Sequence, residues 1–458
     1  PDARKPLREG VKQLLALADD YYESGEKGLA YLPVRARIAI LVAARVYRSI
    51  GREIAMRDDA PWPGRAAVTI RMQGRARDMS EKIELVILGG GCAGLSLARQ
   101  LAILEQHGHA IPETTILEPR EEYLHDRTWC FWQPAHVPVD TRIAHEWERW
   151  SFSERGGSRI LHEGGSWRYR CLPSDRFYRE ATSWIQGSSQ IRLKTAVPVF
   201  SAAKGDGEDH RIETPEGPLK AGMVVDTRPP STRGKPLLLQ QFIGVEVKTA
   251  VPMQDPGCVG LMENMQQDEH GFLFHYVLPY SESKCLLEVT RFTADKVPWE
   301  RMEEDLGRAR QACDLSNAGE SRRERGIIPM GLPAQNLSTG PTWAVAGTRG
   351  GAIRPATGYG FQRIAAWAES CARSLVEDGC VLSQPSFPRS IRWMDDLFLR
   401  LLRRKPELAP QLFMRFAGRL SPGQSVRFLS NKPNLYDKWR VVRSLPAQPF
   451  LEQLWRQV

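Results

Sequence analysis

The sequence feature that most restricts the fold is a glycine-rich turn after an apolar run. Gly89, Gly91 and Gly94 directly follow the apolar residues 83–88, and a helical pattern begins at once. Gly89 allows a tight turn, Gly91 lets backbone N–H groups approach a pyrophosphate, and Gly94 lets the helix pack on the strand. The N-terminus of that helix would face the phosphates. The turn therefore predicts a strand–turn–helix unit that binds a dinucleotide.

An acidic residue follows the next predicted strand, at the position where a dinucleotide ribose is bound. Residues 114–117 form this strand, and Glu118 lies 24 residues after Gly94. A carboxylate there hydrogen-bonds a ribose hydroxyl and disfavours a 2′-phosphate, so NADP is not the expected ligand of this site. The alternative is a tight turn that binds no ligand.

A second glycine-rich segment, residues 346–360, follows a short predicted strand at 343–345. Flavoproteins of the hydroxylase and reductase type use a late strand, loop and helix to close over the flavin ring, whereas NAD dehydrogenases do not need one. The segment therefore favours FAD over NAD, and the alternative is a surface turn. The residues predicted to contact the cofactor here are Gly347, Pro355, Thr357, Gly358 and Tyr359.

Two glutamates interrupt otherwise apolar alternating strands. Glu246 lies in the predicted strand around 240–250, and Glu288 lies in the one around 285–292. A glutamate on the interior face of a sheet is desolvated, which raises its pKa and lets it donate a proton near pH 7. Either residue could instead face solvent on a half-buried strand, and the alternation alone leaves this open.

Several short motifs together resemble one family. They are Arg127-Thr-Trp-Cys-Phe-Trp132, Tyr169-Arg-Cys-Leu-Pro-Ser-Asp-Arg-Phe-Tyr178, Val225-Asp-Thr-Arg228 and Arg354-Pro-Ala-Thr-Gly-Tyr359. From about Glu81 to its end, the chain resembles the bacterial lycopene β-cyclases. Flavin hydroxylases carry Gly-Asp at the start of the late loop. This chain has Gly347-Thr348-Arg349, which counts against a monooxygenase.

The resemblance implies a function and assigns roles to residues. It implies carotenoid biosynthesis through a non-redox, acid-catalysed cyclisation of lycopene to γ- and β-carotene, with FAD reduced by NAD(P)H. Glu246 matches the glutamate of the family's Gly-x-Glu segment and ranks first as the acid, with Glu288 second. Glu263 and Trp129 are expected in the substrate pocket. Two alternatives remain: a flavin-dependent monooxygenase or prenyl/carotenoid reductase on the same fold, and a non-catalytic scaffold.

The first part of the chain resembles a different family. Residues 1–57 have helical patterns, and 58–80 read as a linker rich in proline, glycine and arginine. Residues 1–70 resemble the last helices of bacterial phytoene synthase but lack its paired D-x-x-x-D motifs. We expect either part of a synthase–cyclase fusion or two joined reading frames, with the cyclase starting at Met79. Other carotenoid enzymes are possible partners on either interpretation.

The C-terminal residues 389–458 combine basic and aromatic residues in helical patterns. They hold fourteen Lys and Arg against five Asp and Glu, and the whole chain carries a formal charge of +9. This predicts peripheral attachment to the cytoplasmic side of a membrane, where a C40 hydrocarbon dissolves. The alternative is a helical cap whose aromatic residues pack on the core. No zinc-knuckle or RNA-recognition pattern is present, so nucleic acid is not an expected partner.

The remaining patterns limit the fold and its ligands. The eight cysteines include no C-x-x-C pair, which predicts reduced thiols and no metal site. The sequence contains no run of eighteen apolar residues, so no membrane-spanning helix is predicted. The expected fold class is α/β (α+β), with a Rossmann-type FAD-binding domain, an antiparallel-sheet substrate domain and a C-terminal helical part. The predicted segments are 81–230 (FAD-binding, first part), 231–330 (substrate sheet), 331–388 (FAD-binding, closing part) and 389–458 (helical).

Overall fold

The computed structural model describes residues 82–455, except 206–208, 231–234, 250–251, 254 and 333–338. All described residues belong to the compact unit Ser80–Val458. The helices predicted for 1–57, the linker at 58–80 and the second start at Met79 lie outside the described residues.

Seventeen strands and nine α-helices form the described part of the chain. The strands are β1 (Ile83–Leu88), β2 (Thr114–Leu117), β3 (Thr128–Pro134), β4 (His145–Trp147), β5 (Arg149–Glu154), β6 (Arg159–Glu163), β7 (Trp167–Pro173), β8 (Ile191–Lys194), β9 (Ser201–Ala203), β10 (His210–Thr214), β11 (Gly217–Asp226), β12 (Leu238–Lys248), β13 (Cys258–Asp268), β14 (Gly271–Ser281), β15 (Lys284–Thr293), β16 (Gly319–Met330) and β17 (Trp343–Val345). The helices are α1 (Cys92–Gln106), α2 (Ser174–Gln186), α3 (Trp299–Ala312), α4 (Phe361–Glu377), α5 (Arg389–Arg404), α6 (Ala409–Arg419), α7 (Pro422–Leu429), α8 (Leu435–Ser444) and α9 (Ala447–Trp455), with a 3-10 turn at Pro406–Leu408.

The first sheet is built around five parallel strands. They lie in the order β8-β2-β1-β11-β17, and β10 and β9 add an antiparallel edge along the first half of β11. The last four residues of β1 are fully buried, because helices and loops cover both faces of a parallel sheet. The strands predicted at 83–88, 114–117 and 343–345 have these same bounds in β1, β2 and β17. The Rossmann-type expectation is confirmed.

The second sheet is largely antiparallel and has two differently covered faces. Its order is β16-β12-β15-β14-β13-β5-β6, and only β13 and β5 pair in parallel. One face packs on α3 through residues such as Val245 and Met302. The other face packs under the C-terminal helices, where Phe272 and Leu412 share a core. Every second residue of a strand faces those helices, so register decides which side chains meet there.

Chain order and sheet membership differ in one place from the predicted segments. β5 and β6 come from the segment assigned to the FAD-binding part, but they pair with β13 at the edge of the second sheet. A third, small sheet of β3, β7 and β4 also comes from that segment. Pairing between distant strands is set by tertiary packing, which a strand pattern along the chain does not reveal.

The helices α5 to α9 lie over the open face of the second sheet. Helix α5 buries Leu397, Leu399 and Leu402, while Arg389, Arg392 and Arg403 remain exposed. None of the described helices combines the length with the apolar composition that a bilayer-spanning helix requires. The predicted helical character of the C-terminal segment is confirmed.

Candidate functional site

The two glycine-rich segments meet at one edge of the parallel sheet. Gly89 follows β1, Glu118 follows β2, Thr227 follows β11 and Gly347 comes two residues after β17. These strands are parallel, so their carboxyl ends share this edge, where open α/β sheets bind ligands. A side chain added at Gly347 would place its Cβ 3.0 Å from that of Ala93, at the start of α1. The structure thus brings together segments about 250 residues apart in sequence.

Each of the three glycines of the first motif is required for a different structural reason. Gly89 has φ of +96°, which favours glycine. A Cβ at Gly94 would lie 2.0 Å from the carbonyl oxygen of Gly89, so this glycine permits the helix to pack on the turn. A Cβ at Gly91 would meet nothing within 4 Å, and no side chain caps α1 there. Open space beside an uncapped helix N-terminus suits a phosphate group.

Glu118 is almost fully buried at this edge and already has protein partners. Its Oε2 accepts a hydrogen bond from the Gly90 N–H at 2.6 Å, and its Oε1 accepts from the backbone and Nε of Arg120 at 3.0 and 2.9 Å. A carboxylate has about four acceptor positions, so these bonds leave room for a ribose hydroxyl. The predicted role of Glu118 in ribose binding remains a prediction.

A cationic group at this edge was not predicted from the sequence. Arg228 and Arg349 both contact the buried carboxylate of Asp226, at 2.8 and 3.3 Å. The Nε of Arg349 is buried and has no hydrogen-bond partner within the described residues. Two arginines that share one aspartate retain positive charge beside the turn. The edge therefore fits an anionic dinucleotide such as FAD, and Val225-Asp226-Thr-Arg228 was the signal in the sequence.

A cavity of about 490 Å³ lies between the second sheet and the C-terminal helices. Aromatic side chains from the small third sheet, the late loop and the helices line it, among them Trp129, Trp132, Tyr359, Phe361 and Phe413. Helices α5, α8 and α9 contribute Trp393, Val442 and Leu451, which are each more than half exposed and so mark its mouth. The carboxyl and guanidinium groups in its lining belong to Arg127, Glu288, Glu324, Arg354 and Asp395.

The late glycine-rich loop forms one wall of this cavity. Thr357, Gly358 and Tyr359 line it, and Gly358 has φ of +73°. The loop is closed on itself, because Arg354 N–H donates to Tyr359 O at 2.9 Å and Gly358 N–H donates to Arg354 O at 3.0 Å. Pro355 lies half-buried in the same loop but is not in the cavity lining.

A buried ion pair ties this loop to the helices over the cavity. The guanidinium of Arg354 bonds the carboxylate of Asp395 on α5, with Nη2 to Oδ1 at 2.9 Å. Arg354 also donates to the carbonyl oxygen of Phe428 on α7 and lies over that residue's ring. Arg354 and Asp395 are both at most 2% exposed. The position of the loop therefore depends on α5 and α7.

Glu288 is one of two glutamates in the cavity wall. It lies on β15, directly across from Tyr276 on β14, and Thr290 Oγ1 donates to its Oε1 at 2.7 Å. Burial, followed by repulsion from the Glu324 carboxylate, raises the pKa of Glu288 to about 8. A carboxylic acid that remains protonated near pH 7 in an aromatic cavity has the properties of a general acid.

Glu246, the first-ranked acid in the sequence analysis, has different surroundings. It does not line the cavity, and its carboxylate lies 2.6 Å from Lys284 Nζ and 3.6 Å from Arg322 Nε. Burial by itself would raise the pKa of Glu246, but bonds from Lys284 and Ser321 and the charge of Arg322 outweigh it and lower that pKa. An ionised carboxylate held by two cations is a poor proton donor, so the geometry reverses the order of the two candidates.

Two other residues were predicted to lie in the substrate pocket, and the structure places only one of them in the cavity wall. Trp129 lines the cavity and packs against Phe361 with ring centroids 5.5 Å apart. Glu263 does not line it, which corrects the expectation. Its carboxylate bonds the hydroxyls of Ser151 and Ser153 on the neighbouring strand. Register shifts on both sides of Glu263 displace it from the strand alternation.

Sequence reasoning missed Glu324, which is 5% exposed and faces the cavity from β16. Arg322 binds its carboxylate, and Thr128 Oγ1 donates to its Oε2 at 3.1 Å. The surrounding sequence Glu-Ser-Arg-Arg-Glu-Arg (320–325) is polar and gives no sign of a buried face. The sequence carried no signal for this residue, because only the pairing of β16 with β12 places Glu324 opposite Gly244.

Comparisons with known proteins agree with these features. The family model described as lycopene cyclase protein matches residues 84–454, and the squalene/phytoene synthase model matches residues 1–73. Both resemblances seen in the sequence are therefore confirmed. No cluster of His, Cys, Asp or Glu that could hold a metal ion occurs among the described residues.

Individual relatives agree with the family matches. The lycopene β-cyclase of Pseudescherichia vulneris is 26% identical over 81% of this chain and 96% of its own. The lycopene β-cyclase of a Paracoccus species is 28% identical over 51% of this chain and 67% of its own. A geranylgeranyl bacteriochlorophyll reductase-like protein of Thermoplasma acidophilum has a similar fold, with a TM-score of 0.54 and 12% identity over 81% of this chain and 98% of its own.

Proposed function

We propose that this chain, which belongs to the lycopene cyclase family, converts lycopene to γ- and β-carotene by acid-catalysed ring closure. This intramolecular isomerisation changes neither the atom count nor the electron count. It requires a proton donor in an apolar pocket and a negative charge that stabilises a carbocation. One observation carries the proposal: Glu288, with a pKa raised to about 8, faces an aromatic cavity of about 490 Å³.

Each step of the ring closure can be written with groups of the cavity wall. The Glu288 carboxyl donates its proton to a terminal double bond of the polyene, and the adjacent double bond attacks the resulting cation. The carboxylate left on Glu288 then lies beside the cation and takes a proton from the new ring. The ring faces of Trp129, Trp132 and Tyr359 favour a neighbouring positive charge. The carboxyl therefore ends the cycle protonated.

The proposal includes FAD at the edge of the parallel sheet. The open space at Gly91, the uncapped N-terminus of α1 and the charges of Arg228 and Arg349 support it. The loop with Thr357 and Gly358 continues from this edge to the cavity wall. Reduced, anionic flavin would supply negative charge near the cation, and NAD(P)H would be needed only to reduce it.

The proposal also includes attachment to a membrane through the C-terminal helices. Helix α8 carries an exposed stripe of Leu435, Tyr436, Trp439 and Val442, and Val442 also lines the cavity. Tyr436 stacks on Trp439, and the guanidinium of Arg443 lies over the Trp439 ring. Aromatic and basic residues on one helix face favour the interface of an anionic bilayer. A mouth at this surface would admit lycopene and other acyclic carotenoids.

The proposed location is the cytoplasmic side of that membrane. All eight cysteines are free of disulfides, which suits a reducing compartment where NAD(P)H is available. The match of residues 1–73 to squalene/phytoene synthases supports contact with other carotenoid enzymes.

The test of function uses the full chain with lycopene in liposomes, under anaerobic conditions with FAD and excess NADPH. Chromatography measures the product, and absorbance measures NADPH oxidation. β-Carotene in large excess over the NADPH oxidised is the expected result. One NADPH consumed per product, with a mass change of hydrogen or oxygen, would instead establish the reductase or monooxygenase alternative.

A further inference from the structure

Two glutamates of the cavity wall meet across a glycine. In the sheet, Gly244 on β12 pairs with Glu288 on β15 and with Glu324 on β16. All three residues lie on the face that is turned towards the C-terminal helices. The two glutamates are therefore two strands apart, and Gly244 is the only residue between them in this row.

The missing side chain at Gly244 allows the two carboxyl groups to approach. A Cβ at this position would lie 3.2 Å from the Cβ of Glu288 and 3.4 Å from its Cγ. Glu288 leans over the glycine, and repulsion from the Glu324 carboxylate two strands away helps to raise its pKa. Two neighbouring carboxyl groups in a poorly solvated site hold one proton between them, because two like charges there repel strongly.

Two cations lie on one side of this pair. Arg322 binds the Glu324 carboxylate and also lies 3.6 Å from the Glu246 carboxylate. Lys284 binds Glu246 at 2.6 Å. Glu288 accepts a hydrogen bond from the Thr290 hydroxyl but forms no ion pair within the described residues. Three carboxyl groups thus share two cations, which leaves one carboxyl without a counter-ion.

Other ionisable groups nearby do not change this count. Burial lowers the pKa of His125 and His145, so both are neutral at pH 7. Asp126 and Arg127 form their own ion pair at 2.8 Å. Burial raises the pKa of the neighbouring tyrosines, which therefore remain uncharged. These tyrosines are Tyr276 and Tyr280.

We propose that Glu246, Arg322, Glu324 and Lys284 act together as positioning residues that keep a single proton on Glu288. The proposal rests on the proposed function, in which Glu288 donates that proton. Burial raises the pKa of Glu324 as well, but the charge of Arg322 and the hydrogen bonds from Arg322 and Thr128 oppose this rise, so the negative charge of the pair favours Glu324. Lys284 with Arg322 holds a second negative charge on Glu246. The proton is left on Glu288, the member of the cluster that faces the aromatic cavity. It returns to the same pair when the product loses its ring proton, so the cycle balances.

Changing the charge count tests this role. Glu324→Gln leaves two cations with two carboxyl groups, so Glu288 should ionise at lower pH. We expect the alkaline limb of the activity–pH profile to move down by about one pH unit or more, with activity at pH 8 reduced by about fivefold or more. Glu246→Gln should shift the limb in the same direction. A purely structural role would lower activity at every pH without moving the limb.

The double variant Arg322→Gln/Glu324→Gln removes one charge of each sign. It leaves Lys284 with Glu246 and Glu288, so one carboxyl again lacks a counter-ion and the alkaline limb should return towards that of the unmodified chain. The control Glu320→Gln lies on the same strand but pairs with Arg323 on the other face, and it should not shift the limb. A double variant whose limb stays at the low-pH position of Glu324→Gln would overturn the proposal.

Infrared spectroscopy of the protonated carboxyl band tests the same point without turnover. We expect the full chain at pH 7 to show a band that Glu288→Gln abolishes, Glu324→Gln weakens and the double variant restores. Circular dichroism establishes that each variant is folded. If the band follows this pattern while no lycopene product forms, the proposed function fails and this inference stands. A band that is unaffected by Glu288→Gln contradicts the inference whatever the activity.

Discussion

The edge of the parallel sheet and the cavity wall of the antiparallel sheet are built from different kinds of atoms. At the edge, turns of a few consecutive residues present backbone N–H groups, and a buried carboxylate such as Glu118 is bonded on both oxygens. At the wall, side chains from three strands meet, and Glu288 has no ion pair within the described residues. A site made of backbone is fixed by local spacing, whereas one made of side chains is fixed by register.

Glu288→Gln should produce the largest effect in this comparison, because it removes the proton donor of the wall and leaves the edge unchanged. We expect turnover of lycopene to fall by about 10²- to 10⁴-fold, the usual contribution of a general acid. Flavin bound by the purified protein, measured by absorbance, should not change. Glu320→Gln on the exposed face of β16 is the matched control. Turnover within a factor of three of the unmodified chain would remove Glu288 from the mechanism.

Asp395→Asn tests the ion pair that joins the two regions. The change leaves the Arg354 guanidinium buried without its counter-ion, which costs about 3–5 kcal/mol when a buried pair is broken from one side. Denaturant unfolding should measure this loss. The neighbouring Asp396 pairs with Arg400 in a half-exposed i,i+4 bridge, and Asp396→Asn should cost less than about 1 kcal/mol. Equal losses in the two variants would show that Arg354 does not depend on Asp395.

Substitutions at two glycines of the first motif distinguish a packing role from a ligand-binding role at the edge of the parallel sheet. Gly94→Ala places a Cβ 2.0 Å from the Gly89 carbonyl oxygen, and we expect it to destabilise the fold by about 1–3 kcal/mol. Gly91→Ala meets no atom within 4 Å, so stability should change by less than about 0.5 kcal/mol while FAD affinity falls. Thermal unfolding of the flavin-free protein and a flavin titration measure the two effects. Unchanged FAD affinity in Gly91→Ala would mean that no phosphate lies beside this residue.

The contrast between a site fixed by local spacing and one fixed by strand register also explains which features the sequence predicted. The bounds of β1, β2 and β17 follow from local patterns, and the approach of Gly347 to the start of α1 follows from the shared edge of parallel strands. Alternation identified Glu246 and Glu288 as residues that interrupt apolar strands, but it left open whether they face the interior. It could not rank them, because the deciding neighbours Lys284 and Arg322 belong to other strands.

Irregular pairing accounts for the residues that the sequence placed incorrectly or missed. Register shifts in β13 direct Glu263 to Ser151 and Ser153 instead of the cavity. Glu324 lies in a strongly charged strand whose sequence suggests solvent, and only its pairing with β12 places it opposite Gly244. In both cases the surroundings of a side chain depend on how its strand pairs with a partner strand. A pattern along a single strand does not contain this information.

The smallest expected effect concerns the mouth of the cavity. Trp439→Ser on α8 removes the largest ring of the exposed stripe, and we expect binding to vesicles that contain anionic phospholipid to weaken by about three- to tenfold. Phe200 has the same fractional exposure, 49%, but lies beside the parallel sheet, so Phe200→Ser is the matched control and should not change vesicle binding. Flotation of the full chain with vesicles measures both. If the two variants bind equally well, the stripe on α8 is not the surface that meets the lipid, and the polyene must enter the cavity from another side.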